Sequence, residues 1–175
     1  MAKRRQKTAE ANENQMSLFD MIEEINPQKF SRPDYAAETK PLPVVIWLHG
    51  HECTGCDESF IRSGAPLASD LVLSSIALEY SHVLSAGCGE PFEEHLETTI
   101  KKYHGEYILA VEGAVAAGAH EYTCMSGGHP FSHTLQRVAE GAKAVIAYGT
   151  CATAGGIQAA APNPTESKGI RSFIG

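Results

Sequence analysis

The sequence predicts an α/β fold: a mostly parallel sheet with helices on both faces. Short apolar strand-like runs alternate with amphipathic stretches from Leu42 onward. The first run, Val44–His49, is β-branched and almost continuously apolar, as a strand covered on both faces must be. With 43% hydrophobic and 20% charged residues, the 175-residue chain can also bury a core of ordinary domain size.

In chain order, a Gly- and Cys-rich turn follows Val44–His49, and a helical stretch then runs through Phe60 and Ile61. Residues 71–80 read as a second strand. Residues 92–103 place Phe92, Leu96 and Ile100 on one helical face. Residues 107–111, Tyr-Ile-Leu-Ala-Val, read as a third strand. Residues 130–140 put Phe131, Leu135 and Val138 on one side of another helix, and residues 144–148, Ala-Val-Ile-Ala-Tyr, read as a fourth strand. The preceding segment differs. Residues 1–14 are polar and lack an apolar period, which predicts disorder. Residues 17–25 fit a short amphipathic helix capped by Ser17, either lying on its own domain or docking another subunit. Residues 26–43 hold Pro27, Pro33, Pro41 and Pro43 and read as a linker. The expected division is therefore an extension over 1–42 and a folded domain over 43–175.

Charge and composition exclude several functions. A net charge of −7 argues against nucleic acid as the main partner. No run reaches the ~18 apolar residues a membrane-spanning helix requires. Arg4–Arg5 lacks the apolar segment that a twin-arginine export signal carries behind it, so the sequence reads as cytoplasmic. Five cysteines are an odd number and too sparse for a disulfide scaffold.

In a parallel sheet the ligand lies beyond the carboxyl ends of the strands. The turn after the first strand is Gly50-His51-Glu52-Cys53-Thr54-Gly55-Cys56, after the third Glu112-Gly113, and after the fourth Gly149-Thr150-Cys151 continuing to Gly155-Gly156. Cys53 and Cys56 can grip two corners of an iron–sulfur core from one loop, Cys151 can face the same pocket, and the glycines leave room. The same Cys-x-x-Cys also fits half a zinc site or a redox dithiol, and Cys151 fits a buried apolar residue. Cys88 and Cys124 are weaker candidates, since neither follows a strand on this edge. His51 is a candidate for the surroundings of the pair, His49 reads as packed on its strand, and His129 with His133 have zinc-ligand spacing on a helix without a third donor.

The run Val44-Val45-Ile46-Trp47-Leu48-His49-Gly50-His51-Glu52-Cys53-Thr54-Gly55-Cys56-Asp57-Glu58-Ser59 resembles the opening of the small, electron-transferring subunit of nickel–iron hydrogenases. Ala110-Val111-Glu112-Gly113, Ala147-Tyr148-Gly149-Thr150-Cys151-Ala152 and Gln158-Ala159-Ala160-Ala161-Pro162-Asn163-Pro164-Thr165 resemble its next motifs, in order. The likeness runs from about Pro43 to Thr165; small subunits of quinone reductases fit these runs much less well. The resemblance implies a flavodoxin-like, doubly wound domain holding a proximal [4Fe–4S] cluster through Cys53, Cys56 and Cys151. The expected partners are a large subunit carrying the nickel–iron site of H2 chemistry and an acceptor such as a cytochrome or another iron–sulfur protein. Glu52 matches a position that in the family faces the subunit interface near a proton route. Gly55 and Gly156 stand where the oxygen-tolerant membrane-bound branch has extra cysteines, which implies an ordinary cubane and an oxygen-sensitive enzyme. The family's fourth ligand belongs to a later Gly-Cys-Pro-Pro motif that these residues do not contain. An incomplete product is the expectation, with Cys88, Cys124 or a partner residue as the other sources of a ligand and a [3Fe–4S] form as the outcome without one. The family is often periplasmic or membrane-associated, unlike the cytoplasmic reading above. The rival functions are a zinc-stabilised α/β interaction module and a thiol redox sensor using Cys53 and Cys56.

Overall fold

The computed structural model describes residues 41–175. Residues 17–25 and most of the proline-rich stretch lie outside the described residues. Four parallel strands, β1 (Val44–His49), β2 (Ala77–Ser81), β3 (Ile108–Glu112) and β6 (Ala144–Tyr148), form one sheet in the order β2-β1-β3-β6. Between β1 and β2 lie α1 (Gly55–Ile61) and α2 (Ala68–Ser74), and between β2 and β3 lies α3 (Glu90–Lys102). A 3-10 turn (Gly118–Thr123), the two-residue strands β4 (Met125–Ser126) and β5 (His129–Pro130), and α4 (Phe131–Glu140) lead to β6. Beyond it come α5 (Gly149–Ala154), a short 3-10 turn at Ile157–Ala159, and α6 (Ile170–Ile174).

The chain steps from β1 outward to β2, then crosses back over β1 to β3 and on to β6. Parallel crossovers are right-handed, so reversing the stepping direction puts helices on opposite faces, and the two directions diverge between β1 and β3. The strand period of two shows in β1. Val44, Ile46 and Leu48 join Leu109 and Val111 of β3, Leu96 and Ile100 of α3, and Leu135 and Val138 of α4 in the main core. On the other face Trp47 stands edge-on to Phe60 of α1, with ring centroids 5.3 Å apart, and edge-on to Tyr148 at 5.5 Å. Every residue of β1 is buried, which accounts for its unbroken apolar run.

The second strand starts later than the sequence predicts. Residues 71–74 belong to α2, where Leu73 is exposed, and the strand begins only at Ala77. Asp70 starts that helix by accepting from the Leu67 N–H at 3.3 Å, a local capping bond that the apolar run conceals. The turn expected after the fourth strand is also partly helical, as α5. Helix α4 begins at Phe131, so His129 sits on β5 and does not share a helix with His133.

Candidate functional site

The loops leaving β1, β3 and β6 meet at the divergence of the sheet. His49 and Glu112 are register partners at the ends of β1 and β3. The Gly50 N–H donates to the Glu112 carbonyl at 2.8 Å, and an isolated bridge between His51 and Ala114 prolongs the pairing into the loops. Glycine is required at 50, because a Cβ there would lie 2.7 Å from Cε1 of Phe131 and 2.5 Å from the Ala114 carbonyl oxygen. The β1 loop is thereby pressed flat against β3, and its next residues are thrown across the end of the sheet.

Three thiols lie in this region. Cys53 is exposed on the loop, Cys56 is half-buried in the first turn of α1, and Cys151 is half-buried on α5. The Cys56 Sγ rests directly against Gly149, which opens α5 with φ +85°, and a Cβ at that position would overlap the sulfur. The Cys151 Sγ lies against Gly156, where a Cβ would be 2.6 Å from it, and the Cys53 Sγ lies 3.1 Å from the place of a Cβ on Gly55. Each sulfur thus faces a glycine. Burial, the Glu112 carboxylate, and the neighbouring Cys53 and Cys151 push the Cys56 thiol up to about 11. A thiol that close to two others is a poor free nucleophile, and it becomes a thiolate when a cation takes the place of its proton.

The remaining sequence candidates lie elsewhere or play other parts. Cys88 is exposed in the loop before α3, and Cys124 packs against the core with its thiol pushed up to about 11 by burial. His51 is a tie: its Nε2 donates to the Thr123 carbonyl at 3.0 Å, and its Nδ1 lies 3.3 Å from the Ser167 Oγ. The His133 Nε2 meets Glu121 Oε2 at 3.0 Å. Glu52 accepts from the Thr54 hydroxyl at 3.2 Å, and burial followed by Glu112 raises its carboxyl.

Sequence reading missed what surrounds the thiols. Glu112, 1% exposed, accepts the Cys56 N–H on its Oε1 at 3.1 Å. Asp57, fully buried on α1, stands with its Oδ2 2.9 Å from His49 Nε2. Burial pushes both carboxyls above their ordinary values and the His49 imidazole below its own. An acidic residue directly after the second cysteine of the pair, at the start of a helix otherwise facing Trp47, was the available signal.

A parallel α/β domain with three cysteines near its divergence point defines a class, parallel α/β domains with a thiol-lined site at the strand ends. The family described as NADH ubiquinone oxidoreductase, 20 kDa subunit, matches residues 53–174, and the chain belongs to it. Within that family its similarity runs to hydrogenases. It is 52% identical over 150 residues to the uptake hydrogenase small subunit of Rhodobacter capsulatus, covering 86% of this chain and 42% of that protein. It is 51% identical over 140 residues to the hydrogenase-1 small chain of Escherichia coli K12, covering 80% of this chain and 38% of that one. In three dimensions it matches the reduced, active form of the Ni-Fe-Se hydrogenase from Desulfomicrobium baculatum with a TM-score of 0.74 and 31% identity, over 76% of this chain and 51% of that one. The chain thus spans about two fifths of the length of these curated relatives.

Proposed function

We propose that this chain is the electron-transfer domain of a nickel–iron hydrogenase small subunit, with Cys53, Cys56 and Cys151 as three thiolate ligands of one iron–sulfur cluster. The observation that carries the reading is the glycine-only packing of the sulfurs. Gly149 and Gly156 are the residues a Cβ would push into the Cys56 and Cys151 sulfurs, so the sulfurs can turn together around a bulky core. A [4Fe–4S] cluster is the form that fits a cubane site completed by one more donor, and a [3Fe–4S] cluster is the form expected without it. When bound, such a cluster takes up and passes on single electrons.

The chain's own residues set the conditions. Glu112 fixes the backbone of Cys56 through its N–H, α5 carries Cys151, and Gly50 lets the Cys53–Cys56 loop lie against the end of β3. The proposed partners are a large subunit with the nickel–iron site, where H2 is cleaved or formed, and a redox acceptor such as a cytochrome or an iron–sulfur protein.

Protein purified without oxygen should be brown, carry about four irons per chain, and bring down a larger nickel-bearing chain. Colourless protein containing zinc would favour the interaction module. Colourless, metal-free protein with a reversible Cys53–Cys56 disulfide would favour the redox sensor. Either result overturns the hydrogenase assignment.

A further inference from the structure

Beside the thiols lies a second group of donors, of which the cluster assignment uses only one oxygen, the Glu112 Oε1 that accepts the Cys56 N–H. His49, Asp57 and Glu112 come from β1, α1 and β3, and all three are at least nine-tenths buried. One donor atom from each lies within 4.8 Å of the other two. Their hydrogen bonding is incomplete. Both ring nitrogens of His49, both carboxylate oxygens of Asp57 and Oε2 of Glu112 are shielded from solvent and face one another, with no hydrogen-bond partner outside the group among the described residues. His49 Nε2 and Asp57 Oδ2 are only 2.9 Å apart, yet they are not aligned for a hydrogen bond.

Leaving this many polar atoms buried and unpaired costs on the order of 1–3 kcal/mol for each group, and more if it is charged. A cation removes the cost in a way that packing does not. Two donors 2.9 Å apart both reach an ion about 2.1 Å away at an angle near 90°. Around a tetrahedral ion, donors about 2.1 Å from the metal lie about 3.4 Å apart, so donors now within 4.8 Å of one another need close by at most about 1.4 Å. Two carboxylates balance a divalent charge, and a neutral imidazole supplies the nitrogen.

We propose that His49, Asp57 and Glu112 form a binding site for a divalent transition-metal ion of the zinc or ferrous class, separate from the three cysteines. One imidazole with two carboxylates suits that class, whereas magnesium and calcium take oxygen-only sets. The ion joins β1, α1 and β3 at the point where the sheet diverges, so it locks the helix that carries Cys56 to both central strands.

The test is anaerobic titration of the whole chain with Co2+, because cobalt reports its own donors. One equivalent should bind with weak visible d–d bands and no thiolate-to-cobalt charge-transfer band, in addition to any cobalt that the three cysteines take up with such a band. Zn2+ should displace it, and excess Mg2+ should not. Asp57→Asn keeps the shape and removes the charge, so it should weaken this binding by about 100-fold while the folded circular dichroism spectrum is retained. His49→Gln serves as the second variant should Asp57→Asn fail to fold. The proposal is overturned if the native chain binds no cobalt, if all bound cobalt shows thiolate charge transfer, or if Mg2+ competes. It is also overturned if binding survives in a folded variant. None of these outcomes depends on iron at the cysteines, so this site and the hydrogenase reading stand or fall separately.

Discussion

Gly149 makes two demands that no residue with a side chain meets together. Its φ of +85° costs an L-residue roughly 1–2 kcal/mol, and any Cβ would also displace the Cys56 sulfur. Gly149→Ala should therefore keep the fold and lose iron, measured as iron per chain after anaerobic reconstitution. Gly156→Ala should act in the same way through Cys151, and a control such as Gly128→Ala, with open space around its Cβ position, should retain its iron. His82 carries a different consequence. Its Nδ1 accepts the His49 backbone N–H at 3.3 Å, so its proton sits on Nε2 and points to the Ser126 Oγ at 2.8 Å. A second proton would turn that acceptor into a donor facing another donor. Burial, reinforced by neighbouring His49 and partly offset by Glu93, pushes His82 down to about 4 from 6.5. The unfolded chain binds this proton more readily, so the stabilisation is complete above pH 6.5 and is lost as the pH falls toward 4. The loss from this group is about 3 kcal/mol at most. His82→Gln cannot take up the proton, and denaturation midpoints measured from neutral pH downward should fall less steeply for it than for the parent.

The elements show where sequence reasoning succeeds and where it stops. Strands β1 and β3 were legible because central parallel strands are covered on both faces and leave unbroken apolar runs, and β6, a partly exposed edge strand, was legible from its run Ala-Val-Ile-Ala-Tyr alone. Residues 71–80 misled because the same kind of run continues through α2, where Leu73 faces out, into β2 at the sheet edge. The boundary there is set by Asp70 at the helix start, and an apolar period does not report it. The donor set at the divergence point was illegible for another reason. His49, Asp57 and Glu112 are far apart in sequence, and only the β1–β3 register and the placement of α1 bring them together. The β1–β3 junction itself is testable. Gly50→Ala would place a methyl 2.7 Å from the Phe131 ring, an overpacking that costs about 1–3 kcal/mol. Its midpoint in urea should shift downward with the slope unchanged, since the junction would weaken without altering the surface exposed on unfolding.

On the scale of the whole molecule, the placement of Cys53, Cys56 and Cys151 beyond the strand ends was legible in the sequence, because the turns that leave parallel strands emerge at one edge of the sheet. What the pattern could not supply was a fourth donor, since Cys88 is exposed in the loop before α3 and Cys124 packs against the core, its thiol pushed up by burial and by Glu52. The topology has an energetic consequence for the complete fold. Cys53 and Cys56 leave β1, a central strand, and Cys151 follows β6, the edge strand on the far side of β3. A core bound by all three adds a link between segments that otherwise meet through the sheet, α5 and the Gln158 side chain, whose Nε2 donates to the His51 carbonyl at 2.8 Å. The unfolded chain holds no preformed site, so the binding free energy becomes folding free energy. Iron-loaded protein should unfold at a higher temperature than protein stripped by a chelator under reducing, anaerobic conditions, by about 3 °C for each kcal/mol of binding. Cys151→Ser should remove most of that difference while leaving the melting temperature of the stripped protein almost unchanged, because the half-buried thiol alone contributes little to packing. Equal melting temperatures for loaded and stripped parent protein would mean that the iron is held by one loop alone, and that the two strand ends do not share a single core.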